Sequence, residues 1–194
     1  MHRISPNWVS ASRMLIFAPL ALMALSIDFL WLALVFMALG EFTDFLDGFV
    51  ARRYGKVSDF GKTFDPLCDS VFRILIWAGL MKLGWVPICL FAVFFARDAI
   101  VSTIRTCVAM NTGGKSFPAG MSGKVKAVVQ GTAQFSIVAL HIFFSSWQWL
   151  ELTQLALCFV AVLVTLYSLC DYALRARAEI RQSQAAIQQQ DKAA

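Results

Sequence analysis

The sequence predicts an all-α fold, a polytopic membrane protein with six transmembrane helices and both termini on the cytoplasmic side. Three observations predict it. First, 59% of the 194 residues are hydrophobic and only 15% charged, with a mean hydropathy of +0.67, whereas a soluble domain is about half apolar and about a quarter charged. A core of this size cannot enclose so much apolar surface, so lipid must cover part of it. Second, six mostly apolar stretches approach the ~20 residues that a helix needs to cross the hydrocarbon. Third, the basic residues collect on one side of the resulting threading.

In chain order, helices are expected at 8–26, 30–53, 62–83, 86–110, 124–145 and 149–173. The first opens with Asn7, Ser10 and Arg13, spaced by three and so sharing a face near its cytoplasmic end. Asn7 and Ser10 could equally cap the helix, but Arg13 lies in apolar sequence and needs an anion or a snorkelling path. No small-residue cleavage site follows this stretch, which runs straight on toward the second, so no signal peptide is expected. The second helix ends in D-F-L-D-G-F-V-A-R-R, and the third opens on G-K-T-F-D-P-L-C-D. A loop around 54–59 joins them, with Asp59 expected to be solvated within it.

The fourth helix carries Arg97, Asp98 and Arg105 in otherwise apolar sequence. A Gly-rich loop holding Lys115 follows, and G-K-V-K (123–126) opens the fifth helix. The sixth helix passes into a polar, Gln/Ala-rich segment. The expected organisation is one membrane domain, 1–174, and a polar tail, 175–194, that extends the last helix and frays to disorder. Trp8, Trp31, Trp85, Trp147 and Trp149 fall near expected membrane edges, as aromatic belts do.

Arg3, Arg13, Arg52, Arg53, Lys56, Lys62, Lys115, Lys124, Lys126, Arg175, Arg177 and Arg181 all fall on one side of this threading, and Lys82 on the other. By the positive-inside rule that side is cytoplasmic. The net charge of +5 suits contact with anionic headgroups. Nucleic acid is not an expected partner, because the basic residues sit at helix ends and not on a soluble module. Cys68, Cys89, Cys107, Cys158 and Cys170 are scattered without metal-like spacing and read as small hydrophobes.

The chemistry concentrates between Asp44 and Asp69. Asp44 and Asp47 are three apart, and Asp65 and Asp69 four apart, so each pair shares a helix face. Helices joined by the short loop would run antiparallel and bring the pairs to similar depth. Carboxylates so placed repel unless a cation neutralises them. Hard divalent ions such as Mg²⁺, Mn²⁺ and Ca²⁺ prefer oxygen ligands. Two of them about 4 Å apart are the arrangement used in phosphoryl chemistry. Gly48, Ala51 and Gly61 leave room for a ligand near the backbone, although small residues also serve close helix packing in membranes. Arg52 can grip a phosphate with two hydrogen bonds.

The order Asp44-x-x-Asp47-Gly48-x-x-Ala51-Arg52, eight residues, Gly61, three residues, Asp65, three residues, Asp69 resembles the signature of the CDP-alcohol phosphotransferase family at every position and gap. The six-helix layout agrees, so the resemblance spans nearly the whole chain. It implies transfer of a phosphatidyl group from a CDP-linked lipid, usually CDP-diacylglycerol, to an alcohol, with release of CMP. It implies two Mg²⁺ or Mn²⁺ ions held by Asp44, Asp47, Asp65 and Asp69, with Asp69 also the base that deprotonates the acceptor. It places Gly48, Ala51, Arg52 and Gly61 at the CDP-donor pocket, and a homodimer in the bacterial cytoplasmic membrane, with the site facing the cytoplasm.

Two further stretches resemble the phosphatidylglycerophosphate synthase branch of that family. One is N-x-x-S-x-x-R at 7–13, which adds Asn7, Ser10 and Arg13 to the donor side. The other is A-R-D-x-I-V-S-x-x-R with S-G-K-V-K-x-x-x-Q, from Ala96 to Gln130. The cations Arg97, Arg105, Lys115, Lys124 and Lys126 are then expected to bind an acceptor that carries its own phosphate, glycerol 3-phosphate in this branch. Structural pairing of Arg97 and Asp98 on neighbouring helices is the other reading of the residues. Ser70 stands where this branch often has lysine and the inositol-phosphate branch arginine, and Arg73 one turn on offers a charge nearby. Inositol phosphate, serine or another alcohol is the alternative acceptor. A cation transporter would need acids at the membrane midplane and paired helix breaks, whereas these acids sit near helix ends. A non-catalytic scaffold would be expected to have lost an aspartate, and all four are present.

Overall fold

The computed structural model describes the backbone of residues 11–54, 59–111 and 120–193, and the side chains of 11–43, 66–110 and 120–184. Over these residues the protein is all helical. Helix α1 spans Arg13–Ser26, α2 Leu30–Tyr54, α3 Asp59–Lys82, α4 Ile88–Asn111, α5 Met121–Phe143 and α6 Leu150–Ala193. Helix α3 begins at Asp59, so that residue opens a helix and is not in the expected loop. The last helix runs unbroken through the polar tail. Its 44 residues span roughly 66 Å, about twice the hydrocarbon thickness.

Helix α1 opens as a π-helical turn, Arg13–Phe17, before the regular helix Ala18–Ser26. Pro19 explains the widened turn, because it has no N–H for the carbonyl four residues back and its ring crowds that carbonyl. Ala18, Ala21 and Ala24 form a small-residue stripe, fully buried where α1 meets α2 and α3. Gly79 of α3 lies against Leu25, and Gly40 of α2 sits under the Phe72 ring. Small residues of this kind let helix backbones approach closely where lipid offers no hydrophobic drive for association.

The other three helices pack as a second group, with α6 making its most extensive contacts with α4 and α5. Trp77 of α3 stacks on Phe94 of α4 with ring centroids 4.4 Å apart, joining the groups through the core. At the end remote from Asp69, the Lys82 ammonium donates to the Ser26 carbonyl, closing the C-terminus of α1. There Trp85 stacks on His141 at 3.5 Å, and Gln154 bonds both the His141 ring and the Trp85 carbonyl.

The outer surface is strongly apolar. Along α6 alone, Leu152, Phe159, Val160, Leu163, Tyr167 and Leu174 are exposed, a continuous face of the kind that a bilayer covers. Two described helices, Met121–Phe143 and Leu150–Gln184, are long and apolar enough to cross a membrane, and Arg13–Ser26 and Leu30–Thr43 are shorter apolar helices. The polar motif occupies the end of α2 and the start of α3, and Arg97, Asp98 and Arg105 interrupt α4.

Candidate active site

Helix α2 carries positions 44, 47, 48, 51 and 52, and α3 carries 61, 65 and 69. The side chains of Asp44, Asp47, Gly48, Ala51, Arg52, Gly61 and Asp65 lie outside the described residues, as do Asn7, Ser10 and Lys115. Helix register still relates the two backbones. Gly40 faces Phe72 and Glu41 pairs with Arg73, so pairing that recedes along α3 as it advances along α2 brings position 44 level with 69. Pro66, which lies between positions 65 and 69, has no N–H to give to the backbone carbonyl of position 62.

Asp69 is half-buried, and its Oδ1 accepts a hydrogen bond from Arg13, whose guanidinium is buried. Arg13 also reaches the Thr43 hydroxyl at 3.5 Å, so the π-turn of α1 spans α2 and α3 beside the motif. The Arg13 of the expected donor pocket and the expected base Asp69 are therefore in contact. An anion does satisfy the intramembrane arginine. One turn along α3, Arg73 donates to Glu41 at 3.1 Å and to the Ala127 carbonyl of α5 at 3.5 Å, while Gln134 of α5 donates to the Arg73 carbonyl at 2.8 Å. Arg73 is thus engaged as a pin between the two helix groups.

A second polar cluster lies between α4, α5 and α6. Asp98 accepts from Arg97 at 2.8 Å and from Lys126 at 2.8 and 3.1 Å. Arg97 and Lys126 are 6% and 4% exposed, so this is a fully desolvated charge cluster, in which each ion depends on the others. Arg97 also donates to Ser168 at 2.6 Å. Arg105 donates to the Tyr172 hydroxyl at 2.8 Å. Both guanidinium carbons lie over the Tyr172 ring, 5.4 and 5.5 Å from its centroid, within cation–π range. Among the described residues neither Arg97 Nε nor Arg105 Nε has a hydrogen-bond acceptor, although both are buried.

Of the expected acceptor cations, Arg97, Arg105 and Lys126 are brought together. Lys124 is exposed, on another side of α5. Arg97 and Asp98 each have a structural partner, and among the described residues Arg97 keeps one unmatched donor. Sequence reading missed Glu41, Ser122, Ser168, Asp171 and Tyr172. A periodic signal was present: Ser122, Lys126, Gln130 and Gln134 recur every four residues of α5, and all four are buried. In a membrane helix such a polar stripe marks the face turned to the protein interior.

The family model for CDP-alcohol phosphatidyltransferase matches residues 3–172. The chain is also similar to the CDP-diacylglycerol–glycerol-3-phosphate 3-phosphatidyltransferase of Escherichia coli strain K12, at 32% identity over 154 residues, covering 76% of this chain and 79% of the relative. Proteins of the same name from Shigella flexneri serotype 5b and Shigella sonnei are similar to the same extent.

Proposed function

The chain belongs to the CDP-alcohol phosphatidyltransferase family, and from that premise we propose that it transfers the phosphatidyl group of CDP-diacylglycerol to glycerol 3-phosphate, giving phosphatidylglycerophosphate and CMP. The observation that carries the acceptor is the cluster of Arg97, Arg105 and Lys126. Two buried guanidinium N–H groups there lack an acceptor among the described residues. Buried donors are nearly always matched, so these suit an anion brought by the substrate. An acceptor without an anionic group, such as inositol or glycerol, has no use for them.

The reaction asks little covalent work of the protein. The acceptor hydroxyl oxygen forms a bond to the phosphatidyl phosphorus, the phosphoanhydride bond breaks, and CMP departs with the electron pair. Asp69 takes the hydroxyl proton, and with Oδ1 held by Arg13, Oδ2 is the atom proposed to receive it. Arg13 fixes the carboxylate's orientation and balances its charge. Asn7, Ser10, Gly48, Ala51, Arg52 and Gly61 are proposed for the CDP side, with Arg52 on a diphosphate oxygen. The donor set Asp44, Asp47, Asp65 and Asp69 is all oxygen and fits Mg²⁺ or Mn²⁺. Such ions, when bound, offset the charge of the diphosphate and of departing CMP.

The proposal includes six membrane crossings, with both termini and the site on the cytoplasmic side, a membrane domain of 1–174 with a tail of 175–194, and a homodimer. The one-sided distribution of basic residues supports the orientation, and the exposed apolar faces support lipid contact. The test is CMP release by purified protein with CDP-diacylglycerol and Mg²⁺ or Mn²⁺, across glycerol 3-phosphate, inositol 1-phosphate, serine, inositol and glycerol. Release with glycerol 3-phosphate alone is expected. Release with another acceptor keeps the transferase and overturns the acceptor.

A further inference from the structure

We infer that Tyr172 is a positioning residue for the acceptor phosphate: its ring holds Arg97 and Arg105 side by side, and its hydroxyl docks the start of α5 beside them. The inference rests on the acceptor reading above. Tyr172 is 2% exposed and lies where the membrane part of α6 passes into its polar extension. Its oxygen accepts from Arg105 at 2.8 Å and from the Gly120 backbone N–H at 3.3 Å, so a single atom ties α4 and α5 to α6. Arg97 and Arg105 are two turns apart on α4 and both meet one ring. The ring face attracts a cation without neutralising it or occupying its N–H groups. A carboxylate in that place would consume the charge, whereas the carboxylate of this cluster, Asp98, is shared between Lys126 and Arg97. The aromatic ring therefore places two arginines and leaves donors of each available.

The start of α5 is shaped to this side chain. A β-carbon at Gly123 would lie 3.2 Å from both the Tyr172 ring and its hydroxyl, a tight contact, so glycine lets the helix seat closely on this ring. The neighbouring Asp171 accepts from Ser122 and, at 2.9 Å, from Arg175. Residues 171 and 172 together seat the turn of α5 that leads to Lys126.

Ring and hydroxyl can be separated by substitution. With the full-length protein in nanodiscs, Tyr172→Phe keeps the ring and is expected to raise the KM for glycerol 3-phosphate about ten-fold, the scale of one hydrogen bond to a charged group. The KM for CDP-diacylglycerol and the kcat at saturating acceptor should change less than about two-fold. Tyr172→Leu removes both functions and should raise the acceptor KM about 100-fold. In an Arg105→Gln background, Tyr172→Phe should raise the acceptor KM by clearly less than in the wild type, because the shared hydrogen bond is already gone and only the Gly120 contact remains to be lost. Equal increases in both KM values, or additive effects of the two substitutions, would reduce Tyr172 to a packing residue and overturn the inference. The wild-type enzyme tests the acceptor reading separately. If it uses another phosphorylated alcohol, the same KM split on that acceptor decides the role of Tyr172. If it uses only an uncharged alcohol, the inference falls together with the acceptor site.

Discussion

In α1–α3 the helices meet through alanine and glycine, and, Lys82 apart, the described helix charges gather beside Asp69, where Arg13 and the Glu41–Arg73 pair flank the motif. In α4–α6 a chain of charges and hydroxyls runs through the interior itself, from Asp171 and Tyr172 through Arg97, Asp98 and Lys126 to Gln130 and Thr165. The first group is held by close apolar approach and carries the proposed reacting groups. The second is held largely by polar contacts, and its residues double as the proposed grip on the acceptor. The difference implies that chemistry and fold are separable in the first group and coupled in the second.

The sharpest test of that separation is Asp69→Asn. A general base contributes about 10²–10⁴-fold, and turnover should fall by at least that much while the melting temperature in detergent stays near the wild-type value. CMP release within a few-fold of wild type would remove Asp69 from the proton-transfer role. A collapse of the melting temperature would show that the first group also depends on its charges.

Lys126→Met probes the opposite expectation. Removing the ammonium leaves the buried Asp98 carboxylate with Arg97 alone, and breaking a buried ion pair costs about 3–5 kcal/mol. Lost stability and a raised acceptor KM should appear together, and the Lys126→Met/Asp98→Asn double variant should recover much of the stability but not the KM. Recovery of both would make the cluster purely structural.

How legible each group was follows from the same contrast. The aspartate motif lies on two consecutive helices, where i,i+3 and i,i+4 spacing alone groups the aspartates, and the helix ends of α2, α4 and α5 lie within a few residues of expectation. The contacts of the second group are long-range. Arg97 meets Ser168 across 71 positions, and Arg105 meets Tyr172 across 67. No spacing rule links such pairs, so the cations were recognised without the ring that arranges them. The α5 polar stripe is readable by periodicity, since Ser122, Lys126, Gln130 and Gln134 recur every four residues. Asp59 was misplaced because it reads as a loop residue, whereas acidic residues also favour the first turn of a helix. The continuation of α6 lacks any Gly or Pro stop before Ala194.

Two glycines sharpen the packing side of the comparison. At Gly40 a β-carbon would run into the buried Phe72 ring, whereas at Gly131 of α5 its nearest neighbours are Glu41 Oε1 at 3.6 Å and Arg73 at 3.8 Å, ordinary contact distances. Gly40→Ala should therefore destabilise by about 1–3 kcal/mol, the usual cost of overpacking. Gly131→Ala should be neutral or gain a few tenths up to about 1 kcal/mol from helix propensity. Thermal melts of the two variants side by side check this, and equal losses would mean that α5 is packed as tightly as α1–α3.

The smallest effect expected is at Lys124. It and Lys126 are two residues apart on α5, which turns them about 200° from each other around the helix. Lys126 is buried on Asp98, while Lys124 is exposed. Sequence alone placed both at the acceptor phosphate. With Lys124 outside the cluster, Lys124→Ala should change the acceptor KM by less than about three-fold, the scale of an exposed charge screened by solvent and salt. That residual effect should fade at high ionic strength, because long-range attraction of an anionic substrate is screened whereas direct contact in a desolvated site is not. An acceptor KM raised ten-fold or more and insensitive to salt would mean that Lys124 touches the phosphate, and that α5 turns or shifts when the acceptor binds.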